Sequence, residues 1–450
     1  MDKTSKKIVG EMTIPSQLFL NMTKGIDSIS SLRLMLDSSL NGNTSQILEV
    51  VMGSGIILGV SDIHLEPEES EIKLRFRMDG LLQEVGRFDH GIYNSILSRV
   101  KLLSGVKLNI TEKSQDGRFS VNFPLIDTDE RGRIFANEKV KKEYIEIRAS
   151  FLPSEYGETT VLRILNPKKL VEIEKLGLRK GLRDSFEKEI SKPNGMIIVT
   201  GPTGSGKTTT LYAILKKIQN PQIKIITIED PVEYHLEGIS QTEVHHDKGY
   251  DFANGLRAIV RQDPDVILVG EVRDLETAQI ALQAALTGHL VLTTLHTNDA
   301  AGAVARLQSL GEKPHNIAPA INVVIAQRLI RKICSQCSVK EKISDALYEK
   351  MEKGLSNVPK DVISFTKESE ISKVIGCEKC NRTGYKGRIG IFELLEINPE
   401  MEKLILSGPS SSEIKEKAIS DGMLTIYQDG LIKVLMNETT IEEVERVSSD

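Results

Sequence analysis

Residues 196–211 read MIIVTGPTGSGKTTTL, an apolar segment that leads through a glycine-rich turn into residues that favour a helix. Within it Gly201, Gly206, Lys207 and Thr208 fit the pattern G-x-x-x-x-G-K-[ST], with the strand before and the helix after that the pattern requires. Backbone N–H groups of such a loop turn inward around phosphate oxygens, and the helix N-terminus adds partial positive charge. The stretch therefore predicts an α/β fold with a phosphate-binding loop that holds ATP.

The residues of this loop have distinct expected roles. Lys207 would reach the β and γ phosphates, and the hydroxyl of Thr208 would bind Mg²⁺. A chance glycine turn before a helix is the alternative, but it does not explain why the spacing and the flanking elements both match. The predicted nucleotide-binding residues of the loop are Gly201, Pro202, Thr203, Gly204, Ser205, Gly206, Lys207, Thr208 and Thr209.

The composition is typical of a folded chain of two or three domains. Its 450 residues are 40% hydrophobic and 27% charged, with a net charge of -5 and no tryptophan. Non-specific nucleic-acid binding needs a basic surface, and base stacking needs aromatic platforms. We therefore expect no nucleic-acid partner.

The N-terminal region predicts a cytoplasmic protein. Its first residues lack the apolar run and the small-residue cleavage site of a signal peptide. The longest apolar stretch near it, residues 50–60, is interrupted by glycines and is shorter than the roughly 20 residues that a membrane span needs. We expect any membrane contact to go through partner proteins.

Hydrophobic periodicity divides the chain into predicted segments. Residues 72–76 and 119–123 alternate as half-buried strands do, residues 144–149 and 159–165 also read as strands, and residues 92–103 have helical spacing. The segments are 1–45, left unassigned; 46–166, an α+β domain; 167–190, a linker and first helix; and 191–450, an ATPase domain.

Four short apolar runs in the ATPase domain predict a parallel sheet that is covered on both faces. They are Met196–Val199, Ile223–Ile228, Val266–Val269 and Leu290–Thr294. Ligands of open parallel sheets bind at the carboxyl ends of the strands. We therefore expect the groups that follow these runs to converge on one nucleotide: the glycine loop, Glu229 with Asp230, Glu271, and His296.

Glu271, in VILVGEVRD, is the candidate that orients the attacking water. The usual motif has Asp just before this Glu to help hold Mg²⁺, but here Gly270 takes that place. Magnesium would then depend on Thr208, on waters and on Glu229 or Asp230. The alternative for Asp230 is a cap on the following helix.

His289 and His296 begin and end the fourth run, TGHLVLTTLHTND. Either could sense the γ phosphate, since a neutral imidazole donates one hydrogen bond and can gain charge near a phosphate. The alternative for each is a structural histidine.

Cys334, Cys337, Cys377 and Cys380 form two C-x-x-C pairs separated by 39 residues. Four thiolates suit a closed, tetrahedral Zn²⁺ site, with free thiols as the alternative. Residues 330–385 are predicted as a zinc-binding subdomain, and the Lys- and Glu-rich residues 339–375 as a helical hairpin.

From about residue 60 to its end the chain resembles the traffic ATPases of type II secretion and type IV pilus assembly. The resemblance rests on an ordered set of motifs: SDIHLEP, LRFRMDG, QDGRF, IRASFLP, GETTVLRIL, GPTGSGKTTTLY, ITIEDPVEY, LRAIVRQDPDVILVGEVRDLETA, ALTGHLVLTTLHTNDA and CEKCNRTGYKGRIGIFE. It implies a homohexamer whose subunits pair a PAS-like domain with a RecA-like ATPase domain. It also places Glu229 in the Asp box, Glu271 in the Walker B region, and His289 and His296 in the His box.

The same resemblance implies that ATP hydrolysis powers assembly of a pilus or of a secretion pseudopilus, at the inner face of the plasma membrane, through an inner-membrane platform protein. This chain has 60 residues before SDIHLEP, fewer than relatives with a full docking domain, so its docking is expected to differ. The four cysteines indicate the extension or secretion branch.

Arg148 in IRASFLP and Arg163 in VLRIL interrupt apolar text, and a buried guanidinium requires an anion. The resemblance implies that both approach the γ phosphate. The alternative is ion pairing within the domain, to Glu146 or Glu158.

Two other functions fit the same glycine loop. One is a RecA-like nucleic-acid translocase, because fold alone does not decide function. The other is an ATP-gated scaffold that does not hydrolyse.

Overall fold

The computed structural model describes residues 10–40, 42–128, 134–136, 143–166, 171–360 and 362–448. Residues 1–9 of the segment left unassigned and residues 167–170 of the predicted linker lie outside these ranges. The chain divides into two compact units, one before residue 168 together with 375–384, the other from 168 to 374 and from 385 onward. None of the helices in the described ranges combines the length and the apolar character that a membrane crossing requires.

The first unit is a sheet with helices, as an α+β prediction expects. Its elements are β1 (Gly10–Thr13), α1 (Ser16–Gly25), α2 (Ile29–Ser39), α3 (Thr44–Ile57), β2 (Asp62–Pro67), β3 (Ile72–Met78), β4 (Leu81–Phe88), α4 (His90–Ser104), β5 (Gln115–Phe123), β6 (Ile126–Thr128), β7 (Ile134–Ala136), β8 (Glu143–Ser154) and β9 (Gly157–Leu165). The order in the main sheet is β1-β5-β8-β9-β2-β3-β4. Neighbouring strands are antiparallel except β1, which is parallel to β5.

The core of this unit follows the predicted periodicities. Phe119 and Val121 of β5 are buried, and so are Ile96 and Val100 of α4, one turn apart. Residues 10–45, left unassigned by sequence, contribute β1, α1 and α2, with Leu32 among the buried residues. Some apolar residues of these helices stay exposed, such as Leu34 of α2 at 75%, and they blur the helical period in the sequence.

The second unit is an α/β domain. Its elements are α5 (Lys180–Ile190), β10 (Gly195–Thr200), α6 (Lys207–Ile218), β11 (Ile225–Glu229), β12 (Ser240–Glu243), α7 (Phe252–Val260), β13 (Val266–Val269), α8 (Leu275–Leu286), β14 (Leu290–Leu295), α9 (Ala300–Ser309), α10 (Pro314–Ile317), β15 (Ile321–Ile333), β16 (Val339–Lys342), α11 (Asp345–Gly354), β17 (Glu370–Lys373), β18 (Tyr385–Glu396), α12 (Pro399–Leu406), α13 (Ser411–Ser420), α14 (Ile426–Leu435) and α15 (Ile441–Ser448).

The main sheet of the second unit confirms the predicted parallel arrangement. Its order is β12-β11-β13-β14-β10-β15-β18, and all neighbours are parallel except the pair β15–β18. Ile198 faces one hydrophobic core and Ile197 the other, so both faces of β10 are covered. The carboxyl ends of the parallel strands lie along one edge, where the phosphate-binding loop begins.

The residues between the two cysteine pairs do not form the predicted helical hairpin. In residues 339–360 and 362–375 the structure has one α-helix, α11, between β16 and β17, which pair antiparallel to each other. Met351 of α11 is fully buried in a small core that includes Leu431 of α14. A second helix is disfavoured after Gly354, because Pro359 and several β-branched residues follow.

Candidate nucleotide site

The glycine-rich loop joins β10 to α6 at the carboxyl edge of the sheet. Gly201, Gly204 and Gly206 have φ of +145°, +80° and +92°, which residues with a Cβ rarely adopt. The N-cap of α6 is Gly206, which has no side chain to cap the N–H groups of the first turn, so a ligand can take that role. The hydroxyl of Ser205 is likewise buried without a hydrogen-bond partner in the described part of the chain. These are the unsatisfied donors that a phosphate would complete.

Lys207 lies against this loop at the start of α6. Its ammonium donates to the carbonyl oxygens of Gly201, at 2.8 Å, and Pro202, at 3.2 Å. Burial lowers the pKa of Lys207, while the carboxylate of Glu271 acts in the opposite direction. The two side chains are thus close enough to interact electrostatically, as expected for a phosphate-binding lysine and the acid that positions water.

Glu271 follows β13 and is held from two sides. Its Oε1 is 2.5 Å from Nη2 of Arg273, and its Oε2 is 3.5 Å from Nε2 of His296. The side chain of Glu271 is only 13% exposed. It lines a cavity of about 340 Å³ together with Val272, Arg273, His296 and Arg306. The structure therefore brings together three predicted residues, Lys207, Glu271 and His296.

The two histidines differ in position. Partial burial and the nearby Lys207 lower the pKa of His296, which keeps its imidazole neutral at neutral pH. His289 lies at the other end of β14, where its carbonyl accepts a hydrogen bond from Gly195 at the start of β10. A strand of this length spans roughly 20 Å. The structure does not bring His289 to the phosphate-binding loop.

The two acids at the end of β11, Glu229 in the strand and Asp230 just after it, also differ. Glu229 is 4% exposed, and its carboxylate accepts hydrogen bonds from Tyr212, from Thr227 at 2.6 Å and from Gln241 at 3.2 Å. Burial raises the pKa of Glu229. Asp230 is more open: its Oδ2 is 3.7 Å from Nε2 of His246.

Asp230 lines a second cavity. This cavity has a volume of about 290 Å³ and shares Arg273 with the first. Asp230 thus lines a cavity that shares Arg273 with the cavity of Glu271, and Glu229 lines neither of these two cavities.

Arg148 and Arg163 lie in the first unit as cross-strand neighbours on β8 and β9. Nε of Arg163 is 3.0 Å from Oδ1 of Asp62, whereas the side chain of Arg163 is 55% exposed. The ion-pair partners expected from the sequence, Glu146 and Glu158, instead pair with Arg118 at 3.4 Å and Lys101 at 2.6 Å. Asp62 was missed because it is distant from Arg163 in sequence and meets it only through the pairing of β2 with β9.

The four cysteine sulfurs lie within 4.8 Å of one another. Sγ atoms of Cys377 and Cys380 are 3.8 Å apart, far beyond a disulfide bond and near the roughly 3.8 Å edge of a tetrahedron with Zn–S bonds of about 2.3 Å. The backbone N–H groups of Cys377 and Gly384 point at Sγ of Cys380. The donor set fits a metal that prefers four thiolates.

Several site residues were missed by sequence reasoning. Arg273 stands two residues after Glu271, so the motif itself contained the signal. Arg306 of α9 and Tyr212 of α6 reach the site only through the packing of helices on the sheet, which no local pattern reveals.

Comparison with known proteins identifies relatives over most of the chain. A family model described as Type II/IV secretion system protein matches residues 41–446. The type IV pilus assembly ATPase PilB of Thermus thermophilus is 43% identical over 414 residues, which are 91% of this chain and 43% of that protein. Type II secretion system protein E of Aeromonas hydrophila is 40% identical over 419 residues, 92% of this chain and 78% of that protein.

Solved structures share the fold. The pilus retraction motor PilT with bound ADP has 27% identity and a TM-score of 0.58, covering 89% of this chain and 96% of that one. The ATPase DotB of Legionella pneumophila, at 20% identity and a TM-score of 0.61, covers 89% of this chain and 95% of that one. At such identity the second likeness concerns fold alone.

Proposed function

This chain belongs to the family of type II/IV secretion system proteins, and on that premise we propose that it is a Mg²⁺-dependent ATPase that powers assembly of a type IV pilus or a type II secretion pseudopilus. The observation that carries the proposal is that Lys207, Glu271 and His296 lie close together beside a glycine-rich loop that leads into a helix with no side-chain cap at Gly206. The names of the relatives, a pilus assembly ATPase and a secretion system protein, support the pathway.

The loop residues 201–209 would hold the phosphates, with Lys207 neutralising the β and γ groups. Mg²⁺, held by Thr208 and through water by Asp230, would offset charge on the phosphate oxygens. We assign this role to Asp230 because hydrogen bonds enclose the carboxylate of Glu229. Glu229 would then support the site from beneath, through Tyr212 of α6.

Glu271 would orient the attacking water. Arg273 and His296 bracket its carboxylate and limit its rotation, which favours one geometry for accepting a hydrogen bond from water. His296, being neutral, would donate one hydrogen bond toward the γ phosphate or to Glu271. Arg148 and Arg163 remain predicted contacts of the γ phosphate, and His289 a predicted member of the His box.

At the level of assembly we propose a homohexamer of subunits with PAS-like and RecA-like domains, docked on an inner-membrane platform protein. The four cysteines would hold a structural Zn²⁺. No nucleic-acid partner is expected, since the chain has a net charge of -5.

Nucleotide titration tests the site. Lys207→Ala should lose tight ATP binding, because the Lys207 ammonium neutralises phosphate charge that is already present in the ground state. The matched control is Lys217→Ala, at the other end of α6, where the ammonium is 3.1 Å from Oε1 of Glu174. The proposed site is wrong if calorimetry finds equal ATP affinity in the Lys207 variant and the wild type.

A further inference from the structure

A glutamine on β15 packs against the back of the phosphate-binding loop. β15 lies beside β10, with Ala326 opposite Thr200, so the next residue, Gln327, stands where the loop leaves the sheet. Gln327 is 2% exposed. It is a polar residue in the otherwise largely apolar middle of β15, where a hydrocarbon side chain is usual at a buried position.

The amide of Gln327 joins the end of the loop to the first turn of α6. Its Nε2 donates to the carbonyl oxygen of Ser205, at 2.7 Å, and its Oε1 accepts from the hydroxyl of Thr210, at 2.8 Å. Ser205 precedes the helix, and Thr210 lies in its first turn. One side chain therefore spans the peptide units around Gly206 and Lys207, whose N–H groups are expected to face the phosphates.

The glycines of the loop allow this close approach. A Cβ on Gly201 would lie 2.5 Å from the carbonyl oxygen of Gln327, and one on Gly206 would lie 3.1 Å from its Nε2. A buried amide is costly unless both of its polar ends are paired, and here both are. The glycine pattern thus accommodates Gln327 from behind as well as a phosphate from the front.

We propose that Gln327 is a positioning residue for the phosphates: it holds the Ser205 carbonyl and the first turn of α6 so that the loop N–H groups point at the nucleotide. This inference rests on the proposed nucleotide site. The fixed orientation increases the affinity for nucleotide, because the loop does not have to become ordered when the nucleotide binds.

The test compares two buried glutamines in the same unit. Gln428 is 6% exposed and also donates its Nε2, to Gly354 at 3.2 Å and Asn357 at 2.6 Å, away from the loop. Gln327→Met should weaken ADP binding about 10-fold, because the loop would then have to become ordered when the nucleotide binds. Gln428→Met should keep the wild-type affinity for ADP, even where its thermal stability falls.

Thr210 provides a second arm with a conservative rescue. Thr210→Val removes the donor and should weaken ADP binding, whereas Thr210→Ser keeps the hydroxyl and should bind as the wild type does. Gln327→Glu keeps the acceptor for Thr210 but loses the donor to Ser205, so it should also bind weakly. This arm decides the question if Gln327→Met fails to fold by circular dichroism.

Calorimetric ADP titration gives distinct outcomes. Wild-type affinity in folded Gln327→Met, equal weakening in Gln428→Met, or identical affinity in the Thr210 Val and Ser variants would each overturn the positioning role while leaving the nucleotide site intact. Absence of ADP binding by the wild type would remove the proposed site and this inference with it.

Discussion

The imidazole of His296 lies between a cation and an anion, and its charge state decides how Glu271 is held. Its Nε2 is 3.5 Å from Oε2 of Glu271. Burial lowers the pKa of His296, and the positive charge of Lys207 lowers it further. A proton on His296 would convert a neutral contact into an ion pair. The carboxylate of Glu271 would then be occupied on both sides.

We predict an acid limb of ATP turnover that belongs to His296. Since the pKa of His296 is lowered from 6.5, the ring stays neutral above that pH and gains a proton only as the pH falls below it. Wild-type kcat should therefore fall on the acid side of a scan between about pH 5 and 8, and His296→Gln, which cannot titrate, should lack that limb. The same acid limb in both proteins would assign the titration to another group.

Arg163 supplies a second prediction at this scale. Arg163→Ala should lower turnover by roughly 10³-fold with little change in ADP affinity, if its guanidinium stabilises charge on the γ phosphate in the transition state. Arg148→Ala should behave alike. The matched control is Arg118→Ala, the cross-strand neighbour of Arg148 that pairs with Glu146.

The alternative for Arg163 is the ion pair with Asp62. The side chain of Arg163 is 55% exposed and that of Asp62 is 8% exposed, so solvent screens the pair from one side and we expect it to contribute about 1 kcal/mol to stability. In that case Arg163→Ala would lose a small amount of stability in urea unfolding, and Asp62→Asn would lose more because Asp62 is also 3.4 Å from Arg77. Both variants would keep wild-type phosphate release.

The sequence predicts the site residues that belong to motifs of fixed spacing. It does not predict those that only tertiary packing brings to the site. Lys207 and Glu271 follow strands in recognisable patterns, and the structure brings both to one edge. Glu229 follows a strand in the same way, yet hydrogen bonds from Tyr212 and Thr227 enclose it. The pattern was the same for both acids, and the hydrogen bonds that distinguish them become visible only in the folded chain.

At the scale of elements, strands were easier to predict than the connections between them. The apolar run 266–269 coincides with β13, because a strand buried on both faces has little freedom in composition. The helical hairpin predicted for residues 339–375 was wrong. It rested on their Lys- and Glu-rich composition, which favours helices. There β16 and β17 form because their pairing buries Ile371 beside Met351 of α11.

The cysteine segment should be a metal-dependent element. We predict about one zinc per chain in protein purified without chelator, as four thiolates at these separations fit a single tetrahedral ion. The double substitution Cys377→Ser and Cys380→Ser should remove the zinc and disorder its own segment, while ATP binding survives. Elemental analysis that finds no zinc in the wild type would contradict the assignment.

At the scale of the whole molecule, family membership was the most secure inference from the sequence, because many motifs occur in one order. The family model confirms it over residues 41–446. The ring, the platform partner and the choice between pilus and pseudopilus stay predictions. These properties depend on surfaces between chains, which leave weaker patterns in a single sequence than a phosphate-binding loop does.

The proposed ATPase site is tested most directly by steady-state phosphate release from ATP and Mg²⁺. The release is measured for the wild type and for Glu271→Gln, and the ATP affinity of each is measured in parallel. We predict that the wild type turns over ATP, and that Glu271→Gln binds ATP as tightly but releases phosphate at least about 100-fold more slowly, since it lacks the carboxylate that positions water. Equal phosphate release by both proteins, or equal loss of ATP binding in Glu271→Gln and Lys207→Ala, would contradict it.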